Sequence, residues 1–230
     1  GQRVAVGRDV RTSGPRLFEA FTGGIRATGV HVVDVGVVPT PLVYFAAHTL
    51  AVDGAVAITG SHNPGDWNGF KLGQGKGSLY GDAIQHLRQL IEAEDFEQGE
   101  AGLEAVDLYP SYLAWVGERV RLGERPIKVV VDAGNGTGGL VGPALYRALG
   151  AEVVELFCEP DGDFPNHHPD PTVEANLADL KAAVAAHGAD LGVAYDGDAD
   201  RIGAVAADGR ALWGDQLLLL FARDILTRHP

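Results

Sequence analysis

Apolar and polar positions along this chain switch repeatedly between two periods, and the switches mark out its elements. Val4-Ala5-Val6 is a short apolar run of the kind a buried strand shows. Residues 15–28 follow with Leu17, Phe21 and Ile25 at helical spacing, and Gly29 is placed to end that helix. The same reading predicts a strand over 30–35, a helix over 41–50, a strand over 55–59 and a helix over 82–94. Residues 92–104 carry six acids and no basic residue, which reads as a solvated helix end running into a linker. A second cycle then begins, with a helix over 109–122, a strand over 128–132, a helix over 140–149 and a strand over 152–156. A helix over 174–187 and a strand over 190–195 come next. Strands at 202–206 and 211–213 flank Asp208-Gly209, a strong hairpin signal, and an amphipathic helix over 215–228 closes the chain. Short strands alternating with helices imply parallel crossovers, so the expected fold is α/β: two consecutive three-layer domains with mixed, mostly parallel sheets. The first domain is expected over 1–107, the second over 108–213, and 214–230 is a connecting helix.

Composition narrows the function classes. Of 230 residues, 46% are apolar and 21% charged, which excludes disorder as the dominant state. Eighteen Lys and Arg against 31 Asp and Glu give a formal net charge of −13, so no basic field exists for nucleic acid or an anionic membrane surface. No apolar run approaches the roughly 18 residues that cross a bilayer, and Gly1-Gln2-Arg3-Val4 lacks a signal-peptide layout, so a cytoplasmic protein is expected. Cys158 is the single cysteine, which forbids an intrachain disulfide, fits a reducing compartment and makes a poor zinc site. The 32 glycines are about twice the usual share, a sign of many tight turns or close approaches. The chain has no methionine, so Gly1 is not expected to be a natural start and the chain is expected to be a piece of something longer.

Three loops could carry chemistry. Thr59-Gly60-Ser61-His62-Asn63-Pro64 directly follows a predicted strand, where ligands of open α/β sheets gather. Gly60 permits an unusual backbone angle and Pro64 biases Asn63 away from the helix, so Ser61 is projected; taken alone, a turn serine is the simpler reading. A hydrolase nucleophile elbow is excluded, because Thr59 and Asn63 occupy its two glycine positions. Asp196-Gly197-Asp198-Ala199-Asp200-Arg201 also follows a strand. Three carboxylates at alternate positions raise one another's pKa unless a cation intervenes, and oxygen-only ligands favour Mg²⁺ or Ca²⁺ over zinc or copper. An EF-hand fails, since its sixth position is Arg201 and its twelfth Ala207. Gly134-Asn135-Gly136-Thr137-Gly138-Gly139 formally matches a dinucleotide fingerprint, but only Glu152 or Glu155 could serve as its ribose acid, and a glycine-rich turn is the preferred reading. Lys71 alone reads as a solvated lysine. His167 and His168 are adjacent in a proline-rich stretch and are not expected to converge on one ion. Arg8 is expected to face either a phosphate or an acid.

Together, Thr59 to Pro64, Asn68-Gly69-Phe70-Lys71, and Asp196 to Arg201 resemble the phosphohexomutase superfamily, most closely its phosphomannomutase/phosphoglucomutase branch. Weaker support extends through Gly7 to Gly14, Val38-Pro39-Thr40-Pro41, Val131 to Gly136 and Phe164 to Pro171, so the resemblance spans nearly the whole chain. It implies that Ser61 carries a phosphoryl group, and that Asp196, Asp198 and Asp200 bind Mg²⁺ together with an oxygen of phosphorylated Ser61. Lys71 is the implied general acid/base, with His62 and Arg201 assisting around the phosphoryl group. The implied reaction interconverts hexose 1-phosphate and hexose 6-phosphate through a phosphoserine enzyme and a hexose bisphosphate that reorients between half-reactions. Gly60 before Ser61 and Phe70 before Lys71 look more like the mannose/glucose branch than the glucosamine branch.

The resemblance also has gaps. The family's N-terminal strand with its arginine motif has no counterpart before Arg3, its sugar-recognising and C-terminal phosphate-binding loops are missing, and Ala199 stands where glycine is more usual. The chain is therefore expected to hold the phosphoserine-loop domain, the metal-loop domain and a helix leading towards absent C-terminal domains of the same protein, and to turn over sugar phosphates weakly. Two rival readings are an NAD-binding oxidoreductase built on Gly134 to Gly139, and a non-catalytic, metal-stabilised sugar-binding module.

Overall fold

A computed structural model describes residues 2–228, and the chain divides into two compact units, Gly1–Trp115 and Val116–Pro230. The first unit is built from β1 (Arg3–Arg8), α1 (Gly14–Ala27), β2 (His31–Val37), α2 (Thr40–Thr49), β3 (Gly54–Ile58), β4 (Phe70–Gln74), β5 (Gly77–Ser78), α3 (Asp82–Glu92) and β6 (Leu103–Ala105). Its sheet runs β5-β4-β3-β1-β2-β6. β1 pairs parallel with β2 and β3, β2 pairs parallel with β6, and β4 is antiparallel to β3 and β5.

Period-two alternation decides which helix covers which face. Val6, Val32, Val56 and Ile58 turn one way and pack on Leu17, Phe18, Phe21 and Ile25 of α1, the apolar stripe legible in the sequence. On the other face Gly7 comes so close to Val43 of α2 that an added Cβ would lie 2.7 Å from its methyl. Pro15 sits in the first turn of α1, where its missing N–H costs nothing, and Gly29 follows the helix at φ +83°. α4 (Tyr109–Arg119) begins with Tyr112 and Trp115 edge-on to Phe45, at ring distances of 5.3 and 5.9 Å.

The second unit contains β7 (Lys128–Asp132), α5 (Gly138–Ala148), β8 (Glu152–Leu156), α6 (Ala178–His187), β9 (Leu191–Tyr195), β10 (Ile202–Ala206), β11 (Ala211–Leu212) and α7 (Gly214–Arg228). Strand order is β11-β10-β9-β7-β8, parallel through β8, β7 and β9 and antiparallel beyond. Val130, Ala194 and Val205 bury against Leu177, Leu180 and Val184, while Val129, Val131 and Val193 bury on the opposite face with Tyr146. A strand buried on both faces explains why 128–132 reads as a continuous apolar run. The expected α/β class, two units with mixed sheets and interleaved helices, is what the chain forms.

Three strands escaped the sequence pattern. β4 and β5 form an edge hairpin of exposed and half-buried residues, and β6 lies within the acid-rich stretch expected to be linker. β5 and β6 are two and three exposed residues held by backbone pairing, and β4 offers only Phe70 and Leu72 to the α1 side of the sheet, too short an alternation to stand out in the sequence. The expected helix over 174–187 opens instead with a 3₁₀ turn at Glu174–Leu177, and the helix expected over 109–122 stops at Arg119.

Candidate active site

In the first unit β3 and β4 pair Ile58 with Phe70, and Thr59 N donates to Gly69 O at 3.0 Å, so the intervening loop leaves and re-enters the sheet at one end. Ser61 and His62, both half-buried, lie in that loop. Lys71 follows it on β4, opposite Ala57, and with Tyr44 and His48 of α2 lines a cleft of about 810 Å³. Ser61 adopts φ +50°, a left-handed conformation that side-chain-bearing residues rarely hold without support.

The support comes from Asp9 and Arg11, just beyond β1. Asp9 accepts from Arg11 N at 3.0 Å, Arg11 Nε at 3.1 Å, Thr59 Oγ1 at 2.9 Å and Gly60 N at 3.0 Å. The Thr59 hydroxyl in turn accepts from Ser61 N at 2.8 Å. The Arg11 guanidinium, whose side chain is 0% exposed, donates to four loop carbonyls: Ser61 O at 2.8 Å, Asn63 O at 2.7 Å, Trp67 O at 2.8 Å, and Pro64 O. Gly60 leaves the space this requires, since a Cβ there would stand 2.4 Å from the guanidinium carbon. Burial pushes the Asp9 carboxyl up, while the backbone donors, the Thr59 hydroxyl and the Arg11 charge pull it back.

In the second unit Asp196, Asp198 and Asp200 lie in the β9–β10 loop, with one carboxylate oxygen of each within 4.8 Å of the others. Asp196 and Asp198 are buried and Asp200 is exposed. Asp196 Oδ1 accepts from Asp200 N at 3.1 Å and Arg201 N at 3.0 Å, which bends the loop around its first carboxylate. Arg201 Nε lies 3.3 Å from Asp196 Oδ2 and 3.8 Å from Asp200 Oδ1. Hard oxygen donors converging at a strand end suit Mg²⁺ or Ca²⁺. Ala199 is held at φ +55°.

The glycine-rich turn belongs to the same loop cluster. Its amides are already engaged: Gly134 N donates to Asp132 Oδ1 at 2.9 Å, Asn135 N to Phe157 O at 2.8 Å, Gly136 N to Ala133 O at 2.8 Å and Thr137 N to Gly197 O at 3.1 Å. A Cβ on Gly136 would lie 2.6 Å from Gly197 O, so this glycine exists to let the turn touch the aspartate loop. Glu152 pairs with Lys128 at 2.9 Å and Glu155 with Arg147 at 2.6 Å. A pyrophosphate would find those donors taken, and the NAD reading loses its support. Arg8 resolves to the acid-facing alternative, with Nη1 2.9 Å from Asp34 Oδ1 and its guanidinium carbon 4.2 Å from the centre of the Phe18 ring. His167 and His168 do not converge, since His167 Nε2 lies 3.1 Å from the buried Asp132 carboxylate and Nδ1 3.0 Å from His168 O. Burial is the chief cause that pushes the Cys158 thiol up to about 11, so the thiolate is disfavoured there.

Two family models match. Residues 1–98 match "Phosphoglucomutase/phosphomannomutase, alpha/beta/alpha domain I" and 110–209 match "alpha/beta/alpha domain II". The chain belongs to the phosphoglucomutase/phosphomannomutase family. A phosphomannomutase/phosphoglucomutase of Pseudomonas aeruginosa is 48% identical over 227 residues, covering 99% of this chain and 49% of the relative. A phosphoglucomutase of Neisseria meningitidis is 46% identical over 230 residues, covering 99% and 50%. A crystal structure of a phosphoglucomutase/phosphomannomutase family protein from Burkholderia thailandensis superposes with a TM-score of 0.96 at 47% identity, covering 100% of this chain and 52% of that one. The chain thus spans about half the length of the relatives it matches. No helix among the described residues is long and apolar enough to cross a membrane.

The supporting roles of Asp9, Arg11 and Thr59 are not legible in the sequence alone. Their one sequence signal is an Asp-x-Arg spacing between a strand and a helix, which carries little information until the loop 50 residues later is seen against it.

Two outcomes follow. Ala199→Gly removes left-handed strain, so it should leave stability unchanged or raise it by up to about 1 kcal/mol, whereas the same change in an ordinary helix or strand costs about 0.5–1 kcal/mol. A thermal-melting loss of that size would contradict the strain. Burial lowers the His167 pKa, but the hydrogen bonds to Asp132 and to the His168 carbonyl, with the Asp132 and Asp179 charges, outweigh it and leave the imidazole above its ordinary value. A raised folded-state value means the stabilisation is complete below the unfolded pKa of about 6.5 and is lost as pH rises through the higher folded value. The melting-temperature advantage over His167→Gln should therefore shrink between mildly acidic and mildly alkaline pH, and a constant gap would refute it.

Proposed function

We propose that this chain is the phosphoserine-carrying and metal-binding part of a mutase that interconverts the 1- and 6-phosphates of mannose or glucose. The observation that carries this reading is Ser61, fixed in a left-handed backbone conformation at a strand end by buried groups that leave its side chain half-exposed. The convergent aspartates of the second unit support it, as does membership in the family.

Ser61 Oγ carries the phosphoryl group. When the Oγ–P bond breaks, a new bond forms between phosphorus and the free sugar hydroxyl, whose proton passes to Lys71. In the return half-reaction Ser61 Oγ takes the other phosphoryl group from the bisphosphate, and Lys71 gives the proton back to the sugar oxygen. His62 donates a hydrogen bond near the phosphoryl group, and Arg201 adds positive charge beside the aspartates. Asp196, Asp198 and Asp200 would hold Mg²⁺, which supplies neutralisation of phosphoryl charge when bound. Sugar recognition falls to the parts of the relatives' length this chain does not span. A cytoplasmic location accords with a single, half-buried free thiol and with phosphorylated sugars as substrates.

Incubation with glucose 1,6-bisphosphate and Mg²⁺ should add the mass of one phosphoryl group to the chain, and Ser61→Ala should abolish the addition. An undiminished gain in Ser61→Ala would refute the role of that residue. In a coupled glucose 1-phosphate assay, the chain alone should turn over a small fraction of what a full-length relative does. Comparable turnover would mean the sugar-recognition groups lie within these 230 residues.

A further inference from the structure

The loop that presents Ser61 gets little of its shape from its own sequence. Four of its carbonyls, at positions 61, 63, 64 and 67, point inward and converge on one guanidinium. Carbonyl dipoles aimed at a common point repel one another, so without a cation between them the loop would open. Arg11 is planar and forked, with five N–H donors in fixed directions, so a single group can satisfy carbonyls on two sides while Nε faces Asp9. Asp9 then fixes the approach to Ser61 from the other direction, through Gly60 N and through Thr59 Oγ1, which accepts a hydrogen bond from Ser61 N.

From this geometry we infer that Arg11 is the positioning residue for Ser61: it holds the serine loop in its reactive shape from within the core, without touching the phosphoryl group. The inference rests on the proposed phosphoserine role for its catalytic meaning, and on the hydrogen-bond pattern alone for its structural meaning. A lysine at position 11 would keep a positive charge beside Asp9 but would replace the fork by a point donor with at most three protons, too few for four loop carbonyls and the Asp9 contact together. Gly60→Ala perturbs the same contact from outside, by driving a methyl into the guanidinium while leaving its charge intact.

The test compares wild type, Arg11→Lys, Gly60→Ala and the double variant, each checked for a cooperative melt. In single-turnover phosphorylation by glucose 1,6-bisphosphate, both single variants should lose about tenfold to a hundredfold in maximal rate with little change in the donor concentration giving half that rate. The double variant should lose less than the product of the two, because both act on one contact. Amide hydrogen exchange should accelerate at Gly60, Ser61, Asn63 and Trp67, and stay unchanged in β1 and β3. A folded Arg11→Lys that phosphorylates at the wild-type rate with undisturbed loop exchange overturns the inference, as do fully multiplicative losses. If Arg11→Lys does not fold, Gly60→Ala is judged by the same rate and exchange criteria. If wild type accepts no phosphoryl group, the proposed function fails, and loop exchange alone decides: acceleration confined to the loop upholds the role of Arg11, and unchanged exchange removes it.

Discussion

The ion pair between Asp9 and Arg11 sets the terms for the first unit. Both side chains are withdrawn from water, at 2% and 0% exposure, and charges so placed are costly unless every donor and acceptor finds a partner. Here the partners come almost entirely from the serine loop, so the loop is the means by which the pair is solvated. The dependence runs both ways. Losing either charge would strand the other in the interior, a defect of about 3–5 kcal/mol, and would release the backbone that aims Ser61. Stability and site geometry thus share one set of hydrogen bonds, which links the end of β1 to a loop some 50 residues later.

The second unit solves a related problem with opposite charge. At the end of β9 three carboxylates are gathered instead of dispersed, and the first of them is consumed in shaping the loop, its Oδ1 receiving two amides. Ala199 is held left-handed between the second and third, and the glycine-rich turn after β7 backs the arrangement. In both units the candidate site residues stand at the carboxyl ends of strands, where parallel topology opens a crevice. In both, strain in a short loop is tolerated because a buried polar scaffold over-determines the backbone.

How much of this was legible from the residues follows from what each element depends on. Strands buried on two faces, such as 128–132, and helices with an apolar stripe, such as α1, announced themselves through side chains alone. β5 and β6 did not, because backbone pairing holds them at the sheet edges, and β4 did not, because its apolar alternation is only Phe70 and Leu72. The aspartates stood out through their alternate spacing, whereas Ser61 and Lys71 became candidates only because the combination resembled a family. Arg11 stayed hidden, since one arginine after a strand looks like any other until its distant carbonyl partners are known. The glycine run formally matched a dinucleotide fingerprint but read better as a glycine-rich turn, and the fold uses it as that turn, packed against a neighbouring loop.

That neighbouring contact, Gly136 against Gly197, has a bearing on descent. Ordinary pairs of touching residues can drift together, one shrinking as the other grows, so an enlarged partner is a recoverable accident. Here a side chain at position 136 would meet only main-chain atoms of a residue that is already the smallest available. No shrinkage at position 197 could make room for it. A lineage that enlarged position 136 could regain the fit only by reshaping a whole loop, so this site should stay frozen for as long as the aspartate loop is kept.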